Sequence, residues 1–560
     1  MAEFATVDGC SREVPRVEAE TGLSMRRRWA AALTVCLGLF LLGLDLTVLN
    51  VAVPDLRDDL NASMRETQWI VDAYVLALGG LVLTSGGLMD RLGRRRAFVA
   101  GLVVCAVSSA VGGLVRSPGE LIAARAGMGV GAALLMPATL CVITDLFPEP
   151  APRRRAIAVW AAVGGLGGAC GPVVGGWLVE QTSWRAAFWV NVPIAALTVL
   201  LTLGLVPAPP RRSPSSGLSG LSGSSDFRGS SDFRESSDLS GPRFDVPGAL
   251  LSASGLLVLV WAVIESPSRG WTDPATLVAY AVAGLLLAGF LVVEHRADAP
   301  VLPLALVRPA RVGTAAMALA MMSFALFGAL FVVTLYLQGV LGYTPWQAGL
   351  RVLPLPMGLM AGAAMSLRIT ARWGEKSSVL LGLLVVAGAF GLLARTSAGS
   401  GYGRLLVFLV LGGGGAGLTA AAATACVMNA VPAARAGLGS AVNDATRQVG
   451  AALGVAVQGS LLSGAYTSRL DDTLTRAHAP ASLRGAGGAD NVLSTVAVAR
   501  RLPPGARERL RAAAADAFVH GMSHAALAAV AVVLAAALVT LRRLPGRDAV
   551  DAPPSGAPVQ

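Results

Sequence analysis

Residues 29–53 read WAAALTVCLGLFLLGLDLTVLNVAV, twenty-five positions whose one formal charge is Asp45. As a helix rising about 1.5 Å per residue, such a stretch crosses the roughly 30 Å hydrocarbon core of a bilayer, which takes about 20 apolar residues. The rest of the chain repeats the pattern. Hydrophobic types make up 54% of the 560 residues and charged types 14%, where soluble proteins carry roughly 25% charged. No water-exposed surface absorbs that much apolar side chain, which excludes a soluble domain, a disordered chain and a disulfide scaffold. An all-α polytopic membrane protein remains.

Taking about 20 residues per crossing, spans are predicted near 29–53, 68–87, 97–115, 120–146, 156–178, 187–206, 247–265, 274–294, 312–338, 347–368, 378–395, 404–428, 437–463 and 519–541, fourteen in all. An even number puts both ends on one side. Arg26 to Arg28, Arg91 with Arg94 to Arg96, Arg153 to Arg155, Arg211 with Arg212, and Arg542, Arg543 and Arg547 all fall on one face. Positive residues in short loops stay inside, so that face is expected to be cytoplasmic and the protein to sit in the plasma membrane. The net charge of +11 is thereby a matter of topology, with no nucleic-acid partner expected. Asp8, Glu13, Glu18 and Glu20 precede the first apolar run without a cleavable pattern, so the first helix is expected to stay in the membrane.

Other chemistries find little support. The single lysine, Lys376, follows Glu375, so no phosphate-cradling Gly-Lys-Ser/Thr loop exists and no nucleotide is expected. Five cysteines lie in apolar runs and Cys10 in a polar leader, predicting neither disulfide nor metal. His520 and His524 share a helix face but have Gly521 where a zinc protease needs glutamate. With no converging serine, histidine and acid, no enzyme is expected and no cofactor.

Charge inside the apolar runs is more telling, because each such group costs roughly 2.5–3.5 kcal/mol at a helix centre unless it faces a cavity or a partner. Asp45 in the first span, Arg125 in the fourth and Asp72 in the second are the exceptions. An aspartate whose arginine partner moves gains and loses a proton, as proton coupling requires; a static pair locking two helices is the competing reading. Asp72 lies about 6 Å from its helix end, near enough to be solvated. Asp444 and Arg447 are spaced to pair with each other, and Glu265 is expected at a solvated outer lip. In the fifth span Gly167, Gly171 and Gly175 share a face beside Pro172 and Gly176, a flat, kinkable surface for close helix packing.

Those five residues resemble the antiporter motif of major facilitator drug exporters. Gly86, Leu88, Asp90, Arg91, Gly93, Arg94 and Arg95 resemble the same superfamily's cytoplasmic loop motif. Leu44, Asp45, Thr47, Val48, Asn50, Val51, Ala52 and Pro54 are similar to the first-helix signature of its fourteen-helix drug:proton antiporter branch. So are Trp184, Arg185, Phe188, Asn191, Val192 and Pro193, and Tyr336, Leu337, Gln338, Gly342 and Pro345. Two departures stand out: Met128 replaces a glutamine usual in the fourth helix, and Ala371 stands where a repeat of the loop motif, with Arg372 and Gly374, would place an acid.

The resemblance implies a major facilitator fold: a cytoplasmic tail (1–28), a six-helix bundle (29–206), a flexible Ser/Pro/Gly linker (207–243), two inserted helices (244–297), a second six-helix bundle (298–541) with a long external loop (464–518), and a cytoplasmic tail (542–560). It implies proton-driven export of an amphiphilic drug or antibiotic by alternating access, with lipid, protons and the drug as partners. A metabolite transporter, or a receptor or scaffold that has lost transport, are the rivals. Asp45, Arg125 and Asp72 would handle protons. Gly86, Asp90, Arg91, Gly93 and Arg94 would form a cytoplasmic gate, while the glycine face of the fifth helix would seal the outer side. Asn50, Trp69, Tyr74, Phe324, Phe327, Phe331, Tyr336 and Gln338 are the candidate substrate-cavity residues.

Overall fold

The computed structural model describes residues 24–147, 149–207, 246–297, 310–430, 436–476, 492–499 and 502–545. Most of the 207–243 linker, Cys10, His478 and most of both predicted tails lie outside the described residues. Sixteen α-helices are described, α1 (Met25–Leu60), α2 (Met64–Leu92), α3 (Arg94–Gly112), α4 (Pro118–Leu146), α5 (Pro150–Gln181), α6 (Ala186–Trp189), α7 (Asn191–Leu205), α8 (Val246–Arg269), α9 (Pro274–Arg296), α10 (Ala310–Leu335), α11 (Pro345–Val352), α12 (Pro354–Ala394), α13 (Tyr402–Ala430), α14 (Ala436–Arg476), α15 (Val492–Ala499) and α16 (Pro504–Arg543), with a π-helical turn (Tyr336–Val340) continuing α10.

Twelve of the described stretches are long and apolar enough to cross a membrane. One of them, Pro345–Ala394, is 50 residues long, about 75 Å of helix and so more than two bilayer cores. It is broken at Gly374, whose φ of 82° is not helical, and it divides there into two crossings. With α2, 29 residues that return the chain from Asn61, the set is consistent with fourteen crossings. The end carrying Asn61, Ser117 and Pro345 is called outer below, following the arginine rule. Helix starts at that end are written into the sequence. Ser63 accepts from the Glu66 N–H while the Glu66 carboxylate takes the Ser63 N–H, Ser117 caps Glu120, and Asp273 caps Ala275 and Thr276.

Two helix sets repeat one packing scheme. In the first, α1 packs on α5 and α2 on α4; in the second, α10 packs on α14 and α12 on α13. The halves meet reciprocally, α2 against α14 and α5 against α11, and α8 lies across the α2–α14 seam. Large apolar side chains such as Leu200, Leu285 and Leu367 are about 70% exposed on the outside of the bundle, where lipid is their natural solvent.

The predicted external loop 464–518 is helical at both ends. α14 runs on to Arg476, and α16 begins at Pro504 and continues through the last span without a break. Hydropathy marks where a helix leaves lipid, not where it stops, and the Ala- and Arg-rich sequence beyond the boundary remains a good helix former.

Candidate functional site

Asp45, Arg125 and Asn191 come together in the first half from α1, α4 and α7. The Arg125 Nη1 donates to Asp45 Oδ2 at 2.8 Å, with Asp45 4% and Arg125 2% exposed. Arg125 Nε donates to the Ile70 carbonyl at 3.2 Å, and the guanidinium lies 4.4 Å above the Tyr74 ring. Asp45 Oδ1 accepts from Asn191 Nδ2 at 3.0 Å; the same nitrogen donates to Ser109 Oγ at 3.1 Å, and Ser109 donates to the Phe188 carbonyl at 2.7 Å. Both carboxylate oxygens thus have a donor. A small cavity beside them is lined by Leu41, Leu42, Asp45, Tyr74, Cys105, Met128 and Asn191, so the residue replacing the family glutamine faces the aspartate and offers no polar group.

Asp72 departs from its expectation. It is fully buried, and neither carboxylate oxygen has a hydrogen-bond partner. The sequence measures depth along the helix only, whereas neighbouring helices cover its flank. Asp72 lies four residues after Gln68 and seven before Gly79, hence on one face of α2. Gln68 donates to the Ala456 carbonyl at 3.3 Å and a Cβ at Gly79 would stand 2.9 Å from Gln448 Cβ, so this face addresses α14 across the seam between the halves. Glu265 is likewise not solvated. At 5% exposure it receives Arg65 Nη1 on both oxygens at 2.8 Å and Arg269 at 3.0 Å, which ties α8 to α2.

The glycines of α5 divide between two neighbours. Gly167, Gly171 and Gly175 press on α1, where added Cβ atoms would meet Phe40, Thr47 and Val48; Thr47 also donates across this contact to the Gly168 carbonyl at 3.0 Å. Gly176 and Pro172 instead seat the other half. A Cβ on Gly176 would stand 2.5 Å from the Pro345 carbonyl oxygen, and the Pro172 carbonyl abuts Gly349. Gln338 Nε2 donates to the Val51 carbonyl at 2.9 Å and the Trp346 N–H to Glu180 at 3.1 Å, both at this outer seam. Because Gly176 faces backbone, which cannot swing aside, Gly176→Leu is expected to hold the seam open. Efflux of a fluorescent amphiphilic cation from cells should fall at least tenfold at unchanged membrane abundance, and near-normal efflux would show that closure there is dispensable.

At the inner end Gly93 (φ 82°) breaks α2 from α3, and Arg94 forms an ion pair with Asp145 at the end of α4. Sequence reading missed Asp145, an exposed acid with no pattern of its own. Gly86, Asp90 and Arg91 fall in the last turns of α2, and their side-chain surroundings lie outside the described residues. The second half keeps the turn and reverses the charge. Gly374 has the same φ of 82°, and the next residue, Glu375, takes Arg311 at 2.6 Å and the Cys426 thiol at 2.7 Å. In this half the acid therefore follows the glycine of the turn, where the first half has Arg94.

The candidate cavity residues scatter. Tyr74 belongs beneath Arg125. Trp69 packs with Val260, Val263 and Ile264 of α8, and the Tyr336 hydroxyl donates to the Ser400 carbonyl while its ring stacks on Phe518. Tyr74 and Tyr336 are buried and Trp69 is half-buried, each packed against a neighbouring helix. Gln338 closes the outer seam. Phe324 and Phe331 are buried on α10, where Gln458 of α14 donates to the Phe324 carbonyl at 2.8 Å, and Phe327 is half-buried beside them. Asn50 is buried and donates to the Leu46 carbonyl of its own helix at 3.4 Å.

A family model described as Major Facilitator Superfamily matches residues 35–455. The chain is 33% identical over 520 residues, 92% of its length and 91% of the relative's, to the tetracenomycin C resistance and export protein of Streptomyces glaucescens. It is also 33% identical to the multidrug efflux pump LfrA of Mycolicibacterium smegmatis, covering 92% of this chain and 95% of that one. Among solved structures, a bacterial homolog of the human lysosomal transporter Spinster in an inward-facing, occupied conformation aligns with a TM-score of 0.60 at 16% identity, covering 95% of this chain and 100% of that one. The nucleoside transporter NupG aligns with a TM-score of 0.54 at 10% identity over 93% of this chain and 100% of NupG.

Proposed function

The chain belongs to the major facilitator superfamily, and from that premise we propose that it is a secondary active transporter exporting amphiphilic drugs or antibiotics in exchange for protons. As a member of a transporter family it is not an enzyme. The reading places it as a multi-pass protein of the bacterial plasma membrane with both ends cytoplasmic, driven by the proton gradient without a cofactor. The relatives named for resistance and efflux support the drug class.

The observation that carries the coupling is the Asp45–Arg125 pair, buried at mid-bundle with Asp45 beside a small cavity. Such a pair costs desolvation and is worth keeping where its opening does work. A proton arriving on Asp45 cancels the attraction for Arg125 and frees the helices to shift, and loss of that proton restores it. The halves are joined at the outer seam through Gln338, Trp346 and Gly176, an arrangement from which drug would load at the inner side. Asp72, on the seam face of α2, is the second proton carrier in this reading, and Arg94 with Asp145 and Glu375 with Arg311 form the inner gate.

The test is proton release from acid-loaded proteoliposomes on adding a panel of amphiphilic drugs, beside Asp45→Asn. Acid loss sped by a drug in the wild type and absent in the variant is the expected result. Drug movement without proton movement in both would remove the coupling assignment.

A further inference from the structure

We propose that Asn191 is a positioning residue for Asp45, holding its carboxyl in place in both protonation states; the inference rests on the coupling role given to Asp45. The amide nitrogen bridges Asp45 Oδ1 at 3.0 Å and Ser109 Oγ at 3.1 Å. Ser109 donates onward to the Phe188 carbonyl and so accepts from the amide, which sets Nδ2 toward the aspartate in this state. This arrangement suits the carboxylate, since Arg125 supplies Oδ2 and Asn191 supplies Oδ1, leaving each oxygen an acceptor. A protonated Asp45 has a hydrogen to give instead. Asn191 is 2% exposed and its Oδ1 has no hydrogen-bond partner, an acceptor held in reserve on the same amide. Rotation of that amide, with the Ser109 hydroxyl turning from the Phe188 carbonyl to donate to the incoming Oδ1, replaces N–H···O with O···H–O at one position without moving the helix. Arginine could only donate there and a carboxylate could not donate to its twin, whereas asparagine answers both states.

The groups facing Asp45 from the helices packed around it are Arg125 of α4, Tyr74 of α2, Cys105 of α3 and Asn191 of α7, while the α5 glycines meet Phe40, Leu44, Thr47 and Val48 of α1. Tyr74 and Cys105 are both fully or almost fully covered, and Arg125 is always charged. Asn191 is therefore the neutral partner whose removal changes the balance between the two states of Asp45 without adding or removing a charge.

The experiment is the pH profile of drug-driven proton exchange in proteoliposomes for wild type, Asn191→Leu, Ser109→Ala and Asn191→Asp, with drug binding measured by fluorescence on the same samples. Asn191→Leu removes the bond in both states, but the one to the carboxylate is charge-assisted and the stronger, so the variant should move the profile's midpoint to higher pH by about one unit. Asn191→Asp, placing a second acid beside the first, should move it further in the same direction. Ser109→Ala, which releases one anchor of the amide, should give a smaller shift and serves if Asn191→Leu does not fold. Drug affinity measured far above the midpoint should change less than twofold. Unmoved midpoints in all three variants would overturn the proposal, as would a shift in drug affinity alone. An Asp45→Asn background separates it from the coupling role: if Asp45→Asn abolishes exchange while Asn191 variants leave the midpoint unmoved, only the positioning role fails, and if Asp45→Asn exchanges with an unchanged profile, the coupling role itself fails and this one with it.

Discussion

Arg125→Met should lower the stability of the protein sharply, and adding Asp45→Asn should restore most of it while exchange stays at zero. Arg125 is the largest of the fully buried side chains and carries a 2.8 Å ion pair, a carbonyl contact and a tyrosine ring. Removing one member of a buried pair leaves the other charge without compensation and typically costs about 3–5 kcal/mol; removing both is often close to neutral. Thermal unfolding in detergent therefore gives a double-mutant cycle with a large interaction energy. The value of the cycle lies in separating the two readings of the pair. A static lock predicts that the double variant, its stability regained, transports normally. A working pair predicts a stable protein that binds drug and moves no protons.

Much of this is legible in the sequence. Asp45 and Arg125 stand out because a charge in an apolar run is conspicuous, and lipid gives it few other places to go than a partner. The glycine pattern of α5 likewise announces close packing, although one helix face serves α1 and its neighbours Pro172 and Gly176 serve the opposite half, a division that spacing alone does not reveal. Asn191 does not stand out in the sequence: an uncharged amide costs too little in the membrane to be conspicuous, and its partner lies 146 positions earlier. Glu265 looked solvated because it lies near a helix end, yet it is bound by an arginine 200 positions away. Depth along a single helix is a one-dimensional quantity, while burial depends on what packs beside it. Hydropathy has the same limit at 464–518, where among the described residues the chain is helical to Arg476 and again from Pro504.

Asp72→Leu should make the protein more stable and abolish exchange. Neither oxygen of this fully buried carboxyl has a hydrogen-bond partner, and an unsatisfied buried polar group costs about 1–3 kcal/mol, so an apolar side chain of similar size should raise the apparent melting temperature by about 2–4 °C. A group that weakens the fold at no gain in packing is retained for what it does. Its place on the α2 face that carries Gln68 and Gly79 sets it at the seam with α14, where Gln448 also holds a buried oxygen without a partner. On the proposed role of Asp72, a proton taken up there would be stored between the halves and its release tied to their separation. Asp72→Asn keeps the shape and the polarity but cannot titrate, and should lose exchange as completely as the leucine variant without the gain in stability; Asp72→Glu should retain a measurable fraction. Exchange surviving in Asp72→Leu, or a melting temperature that falls by several degrees, would mean that this carboxyl holds the seam together and carries no proton. Stability and transport moving in opposite directions on one substitution is an outcome that a purely structural aspartate cannot produce.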